Sequence, residues 1–419
     1  MDGNILQEIS LKPSIYFLVN LCLFAWGLSA ANWLEHRGPT GQGIAEKVGD
    51  LPLTWSTTEN IAWKTPIEGK AWSTPLIKDG LIYMTNAIEH SESKVDFHVM
   101  CFALKDGSLI WDVKVFGTLN ALQKHDKNSH ASASPIIEDN RLYAHFGYQG
   151  MVCLDLEGKT IWKNRDYYYE PTHGNGGSPA IVEDMIVFTC DGETQAAVMA
   201  LDKMTGKIKW KTHRQTEQSK KFSFGTPILI EVEGEKQIIT QASGGLFAYD
   251  LQGKEIWKFL YDGFSVVPKP MYAHGYLYFS SGYGRAKLYV IKPTGRGDLT
   301  ETNLVYRHDS EVPNNPSLLM LGDELYLHSD KGTISCLDAK TGTVHYSKRR
   351  LTKTASASPV FADNKIYFTD EKGKTVVLKP GKELEVLSVN EIEEPVLASM
   401  AVTTGKILLR TESSLYCIE

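Results

Sequence analysis

The sequence predicts an all-β fold: an eight-bladed β-propeller, with a seven-bladed ring as the alternative, closed by an N-terminal strand pairing in the last blade. Three observations carry this. Aromatic residues recur at near-constant spacing, each interval holds four short strand-like runs, and the incomplete first and last units complement each other.

The recurrence is set by Trp63, Trp111, Trp162, Trp210 and Trp257, continuing as Tyr306 and Tyr346, with successive gaps of 48, 51, 48, 47, 49 and 40 residues. Each aromatic closes a phrase whose fullest form is Leu201-Asp202, then Thr205-Gly206-Lys207, then Trp210. Leu154-Asp155 through Gly158-Lys159 to Trp162 repeats it, as do Tyr249-Asp250 through Gly253-Lys254 to Trp257 and Leu337-Asp338 through Thr341-Gly342 to Tyr346. Glycine permits the positive-φ turn and aspartate braces it. The indole is a large apolar plate able to pack between neighbouring units. Repeated residues at the rim of a ring cannot all touch one ligand, so these tryptophans, Gly206 and Gly342 read as scaffold.

Upstream of each phrase lies a small residue followed by proline: Ser73-Thr74-Pro75, Ser134-Pro135, Ser178-Pro179, Thr226-Pro227, Asn315-Pro316 and Ser358-Pro359. An apolar run, a polar turn and a third run follow, as in Arg141-Leu142-Tyr143 or Lys365-Ile366-Tyr367. Short β-branched and aromatic runs between Gly, Asp, Asn and Lys turns are the hairpin signature, and no amphipathic helical period interrupts them. Four strands per ~40–50 residues describe a propeller blade. Seven units are complete between about residues 71 and 390, while 395–419 supplies only three strands, ending at Leu415-Tyr416-Cys417-Ile418. Asn60-Ile61-Ala62-Trp63-Lys64-Thr65-Pro66 reads as the missing fourth, and joining the two leaves no open sheet edge there. The expected organisation is a leader over 1–31, an N-terminal extension over 32–59 and one propeller domain over 60–419.

The leader rests on Ile15 to Leu28, a mostly apolar run followed by Ser29-Ala30-Ala31. Its length suits a signal-peptide core and falls short of the ~20 residues of a spanning helix. Cleavage after Ala31 would leave Asn32 first and place the protein in the periplasm or outside, with no transmembrane span. An uncleaved anchor is the alternative, since Lys12 is offset by Asp2 and Glu8. Cys22 lacks the small preceding residue of a lipobox. A net charge of −6 gives no basic face for nucleic acid.

The five cysteines beyond the leader read as packing residues. Cys153, Cys336 and Cys417 share one place in the repeat, and Cys101 is expected two residues earlier on the same buried face. Equivalent positions in different blades lie too far apart for a disulfide, and no spacing suits zinc. Cys190 falls outside the pattern.

Three polar stretches break the repeat: His125 to His130; Tyr167 to Tyr169 with His173 to Gly177; and Phe264-Ser265 with Pro268, followed by Tyr283-Gly284-Arg285. The first two precede inner strands of adjacent blades, so His130 and His173 are expected at the same end of the channel. Asp191 and Arg214 could join from connecting loops. His125, Asn128, His130, His173, Asn175, Asp191, Arg214 and Arg285 form the candidate ligand cluster, suited to an anionic or sugar-like ligand. No metal site is assigned, because two histidines without fixed spacing are a weak metal signal. No Gly-x-Ser-x-Gly elbow and no Gly-x-Gly-x-x-Gly before a helix is present, so neither a nucleophile nor a dinucleotide site is read.

The Asp-x-x-Thr-Gly-Lys-x-x-Trp phrase resembles the tryptophan-docking motif of pyrroloquinoline-quinone-repeat propellers over nearly all of the mature chain. His36-Arg37-Gly38-Pro39-Thr40-Gly41-Gln42-Gly43, Trp55 with Glu59 to Trp63, Gly176-Gly177-Ser178-Pro179 and Cys190-Asp191-Gly192 look like exported bacterial members, common in planctomycete-like bacteria. The superfamily includes quinoprotein alcohol dehydrogenases and the barrel-assembly lipoprotein B of the outer membrane. The resemblance implies the fold far more than the activity. The leading expectation is an exported, non-enzymatic binding or scaffold protein, its partner another envelope protein or a glycan, with no cofactor. The alternative is a dehydrogenase using pyrroloquinoline quinone (PQQ) and calcium. The large dehydrogenases carry an adjacent cysteine pair that this chain lacks, and their calcium ligands and catalytic aspartate match no position here. The missing lipobox likewise separates the chain from lipoprotein B.

Overall fold

The computed structural model describes Met1 and residues 31–419; the leader expected at the N-terminus, with Cys22, otherwise lies outside the described residues. Eight small sheets, each of four antiparallel strands or more, form the blades of a β-propeller. Seven are contiguous in sequence: 76–118, 136–164, 180–213, 228–260, 271–308, 319–348 and 360–391 (blades 1 to 7). Blade 8 joins 401–418 to Ile61–Pro66, with Trp63 opposite Cys417 and Thr65 opposite Leu415. The ring is therefore closed by the N-terminal strand. One 3₁₀ turn, Gly147–Gln149, is the only helix among the described residues, and none there is long and apolar enough to cross a membrane.

Within a blade the first strand is short and innermost, the second and third are buried on both faces, and the fourth alternates. Ile334–Asp338 is buried along almost its whole length, whereas Ile208–His213 alternates half-buried and exposed over its last four residues. A strand between two neighbouring blades must be apolar on both faces, while the outermost strand keeps one face in water.

Between blades, the indole of Trp63 donates to Leu104 O, Trp111 to Leu156 O, Trp162 to Lys203 O and Trp210 to Leu251 O, at 2.9–3.1 Å. Each satisfies its one donor on the turn of the next blade and lies over that turn's glycine. Tyr306 takes the same place over Gly342, its hydroxyl donating to Ala339 O at 2.7 Å. Trp257 departs from the series. Blade 5 replaces the short Gly turn with the insertion 292–303, whose Gly297–Asp298 strand pairs in parallel with Glu255–Leu260 of blade 4. Trp257 is thereby sealed and donates instead to Gln237 Oε1 of its own blade at 2.8 Å.

The cysteine register corrects one expectation. Cys101 lies between Tyr83 and Trp111, as Cys153 lies between Tyr143 and Trp162 and Cys336 between Tyr326 and Tyr346. It occupies the same position as the others, not one two residues earlier. Ala103-Leu104 mimics the Cys153-Leu154 and Ala200-Leu201 pairs, and aligning on it displaces Cys101 by two residues, although Cys101 precedes Trp111 by ten residues as Cys336 precedes Tyr346. All five described cysteines are free and buried, and burial raises their thiol pKa values.

The N-terminal extension stitches the innermost strands together. Trp33 bridges Ile77 of blade 1, Leu34 O accepts from Ile137 N of blade 2, and Gly43 O accepts from Phe361 N of blade 7. Ile44–Ala45 pairs in parallel with Val360–Ala362, and Val48 O accepts from Gly405 N of blade 8. Trp55 stacks on Tyr367 at 6.2 Å and donates its backbone N–H to Asn390 Oδ1 at 2.9 Å. Trp33 and Trp55 are almost wholly buried, so this segment is part of the core of the ring.

Candidate functional site

The residue before each innermost strand carries the site. A backbone amide of one blade donates to the hydroxyl of the next: Thr74 N to Ser134, Ser134 N to Ser178, Ser178 N to Thr226, Lys269 N to Ser317, Ser317 N to Ser358 and Ser358 N to Ser399, at 2.9–3.1 Å. A short hydroxyl side chain suits this place, because it reaches an amide of the preceding blade without filling the channel. Blade 5 has Lys269 at this position. In blade 6 the ring residue is Ser317, one past the Asn315-Pro316 step, so proline precedes it instead of following.

These hydroxyls line a central cavity of about 290 Å³ to which all eight blades contribute. Ser134, Ser178, Thr226, Ser317, Ser358 and Ser399 form its wall; Trp72, Phe224, Phe264 and Tyr283 supply aromatic surface; His125, Lys127, Asn128 and His173 supply polar groups, and His36 enters from the N-terminal extension. Among the described residues no Asp, Glu or Cys lines it.

Behind His36 the extension is locked by buried cations. Arg37 donates to Pro359 O at 2.5 Å, Gln42 O at 2.6 Å and Leu318 O at 2.7 Å, with no carboxylate partner. Burial lowers its pKa to about 9, which leaves it protonated at neutral pH. The Lys269 ammonium lies 3.8 Å from Glu35, and burial holds its pKa below the usual lysine value against the pull of Glu35. Burial, reinforced by Lys269 and Arg37, pushes His36 down to about 3, so its imidazole is neutral.

At the rim, Lys127 N donates to His125 Nδ1 at 3.2 Å, which assigns the ring proton to Nε2. His125 and His173 meet edge to face at 5.5 Å, and His173 meets Phe222 at 4.8 Å. Asn128 holds the two loops together, donating to His173 O at 2.7 Å and Asn175 O at 3.3 Å. Lys127 reaches Glu371 of blade 7 at 2.7 Å, and Trp72 donates to Lys127 O at 2.9 Å. The blade 1–2 loop is thereby strapped to blade 7 over one side of the mouth.

Of the residues singled out from the sequence, His125, Asn128 and His173 line the cavity together. His130 does not: it packs edge-on against Phe97 at 6.1 Å, and burial lowers its pKa. Asn175 is buried beside the cavity, accepting from the Tyr169 hydroxyl at 3.1 Å. Asp191 and Arg214 form a wholly buried ion pair within the wall, where Arg214 also donates to Thr240 Oγ1 at 3.0 Å and Gln241 O at 3.1 Å. Burial raises the Asp191 carboxyl against the opposing charge of Arg214. Arg285 is exposed and lies outside the cavity lining, whereas its neighbour Tyr283 lies within it. The hydroxyl ring, His36, Arg37 and Lys269 were missed by sequence reasoning. The Ser/Thr-Pro steps were visible as strand starts, and Lys269 as the break in that series, but their convergence was not.

No group of three or more His, Cys, Asp or Glu among the described residues is placed to hold a metal. A calcium ion takes six to eight oxygens, carboxylates prominent among them. The cavity lining has no carboxylate for calcium and none to serve as a base, so these residues do not fit the calcium–quinone pair.

A family model described as outer membrane protein assembly factor BamB matches residues 48–163, 95–348 and 280–391, overlapping as expected of a repeat. No curated protein is similar enough in sequence to be matched. Among solved structures, BamB from Moraxella catarrhalis is similar at 15% identity and TM-score 0.59, covering 84% of this chain and 95% of its own. Quinohemoprotein alcohol dehydrogenase from Comamonas testosteroni is similar at 10% identity and TM-score 0.63, over 92% of this chain and 80% of its own. The computationally designed Ika8 protein matches at 11% identity and TM-score 0.60, over 85% and 99%. At such identities the likeness is one of fold. With the motif, the closed eight-bladed ring and the matched 48–391 span together, this chain belongs to the PQQ-repeat β-propeller family whose model bears the BamB description.

Proposed function

We propose that this chain is an exported, non-enzymatic binding protein of the bacterial cell envelope that takes a glycan into the mouth of its central cavity. The observation that carries the reading is the cavity lining: hydroxyls from all eight blades, four aromatic rings and, among the described residues, no carboxylate or thiol. Aromatic faces beside convergent hydroxyls suit a polyol, with apolar surface for the ring and polar groups fixing its orientation. General acid–base catalysis needs a positioned pair of titratable groups matched to their task. Here His36 is held neutral by burial, and His125 and His173 contact each other without a carboxylate to orient them. The apolar stretch Ile15 to Leu28 supports export.

A second reading, a scaffold for another envelope protein, is favoured by the matched family's description as an assembly factor. Thermal shift of the mature protein against neutral and charged glycans, and against PQQ with calcium, tests both. A ligand that binds only the native state raises the midpoint as its concentration passes Kd. A glycan shift is expected. A shift with PQQ and calcium accompanied by dye reduction would replace the reading with the dehydrogenase one, and no shift with any of them would move the search to protein partners.

A further inference from the structure

The six ring hydroxyls are not equivalent to free serines. Each accepts a backbone N–H from the preceding blade, and among the described residues none donates to a protein acceptor. A hydroxyl has one hydrogen to give and two lone pairs, so an oxygen that already accepts one amide keeps its O–H and a single lone pair. All six line the cavity, with their hydrogens unspent on any protein acceptor among the described residues. The rim adds two more. His125 has its proton on Nε2, and the Tyr283 hydroxyl accepts from Asn315 Nδ2 at 3.3 Å, leaving its own hydrogen free. No charged acceptor competes with a ligand: among the described residues no carboxylate lines the cavity, and the Asn128 carbonyl oxygen is taken by Ser132.

The charge beneath the cavity has the matching sign. Arg37 is satisfied only by carbonyls and the blade 5 residue Lys269 stands 3.8 Å from one carboxylate, so the buried surroundings of His36 hold two cations against one anion. Hydrogen bonds from neutral donors to an ionised acceptor are about twice as strong as neutral ones.

From this we infer that the cavity selects an oxyanion: its ligand is an anionic saccharide whose carboxylate or phosphate oxygens accept from the hydroxyl ring while its sugar face meets Trp72, Phe264 and Tyr283. This rests on the glycan reading above and adds the charge that the site requires.

Calorimetric titration of the full mature protein tests it, with trigalacturonate and glucose 6-phosphate as the two oxyanion sources and neutral galactotriose and glucose as their controls. At least one anionic probe binds tenfold or more tightly than its neutral control, and its Kd weakens with added NaCl; which probe binds distinguishes carboxylate from phosphate. Ser178→Asp keeps an acceptor for Ser134 N but replaces a donor with a negative charge, and it weakens the anionic probe at least tenfold while sparing the neutral one. Should that variant not fold, His125→Phe with Tyr283→Phe removes two rim donors outside the amide ladder and weakens the anionic probe alone. Neutral sugars binding as tightly as anionic ones would overturn the oxyanion inference and leave the glycan reading standing. Binding of neither class would overturn both.

Discussion

The indole of Trp162 lies against Gly206 of the following blade so closely that a Cβ on Gly206 would sit 2.5 Å from the ring, while the indole N–H donates to Lys203 O of the same turn. The glycine is required twice, by its φ of +72° and by the plate above it. Gly234, at φ +82° with nothing within 4 Å of its Cβ position, is required only once.

This pair separates backbone strain from packing. Gly234→Ala is expected to cost about 1–2 kcal/mol, the penalty of left-handed backbone for an L-residue. Gly206→Ala should cost that and a further ~1–3 kcal/mol of overpacking. Denaturant midpoints measure the difference, and equal losses would show that the indole does not depend on the glycine.

Closure of the ring depends on the N-terminal segment. Removing residues 32–66 takes away the fourth strand of blade 8, both buried indoles and the Lys64–Glu394 ion pair. The melting temperature should fall by roughly 10 °C or more, several kcal/mol at the usual slope for domains of this class. Wild-type stability in the truncated chain would refute closure by this strand.

Asp191 and Arg214 are both inaccessible to solvent, so neither charge tolerates loss of the other. Arg214→Met is expected to destabilise by about 3–5 kcal/mol by leaving a buried carboxylate unpaired, and adding Asp191→Asn should recover most of the loss. A double variant no better than the single one, in urea unfolding, would mean the pair is not coupled.

Three histidines set an acid limit. Burial lowers His36 and His328 to about 3 and His145 to about 4. Their folded values lie below the unfolded value of 6.5, so below that pH the unfolded chain binds more protons. Stability is retained above about pH 6.5 and lost as pH falls toward 3, at ~1.4 kcal/mol per pH unit for each histidine. Urea midpoints between pH 7 and 4 read the slope. His328→Gln, which can still meet Thr352 Oγ1, should reduce it by one proton's share.

Much of this architecture was legible because a propeller repeats its local physics. An Asp-braced glycine turn and an indole at fixed spacing from it need only the next blade to find their partners, so Trp63, Trp111, Trp162 and Trp210 could be placed from spacing alone. Trp257 could not, because its covering strand comes from an insertion in the next blade that carries no repeat signal. Cys101 was misplaced for a different reason: Ala103-Leu104 repeats the local phrase two residues late, and only the pairing with Tyr83 and Trp111 fixes the register.

The sequence by itself determined the blade and the closing strand, which follow from short-range pattern and from a unit left one strand short, and the structure chose eight blades over seven. Only the tertiary structure decided the site. Ser134, Ser178, Thr226, Ser317, Ser358 and Ser399 are more than forty residues apart in pairs and converge only when eight blades close. His130 and His173 looked alike in sequence, yet one turns to Phe97 and the other to the cavity. Asp191 and Arg214 left the candidate cluster for the wall, since two opposite charges brought together away from water neutralise each other first. Side-chain direction in irregular loops depends on what packs against them, and that is fixed by residues distant in the chain.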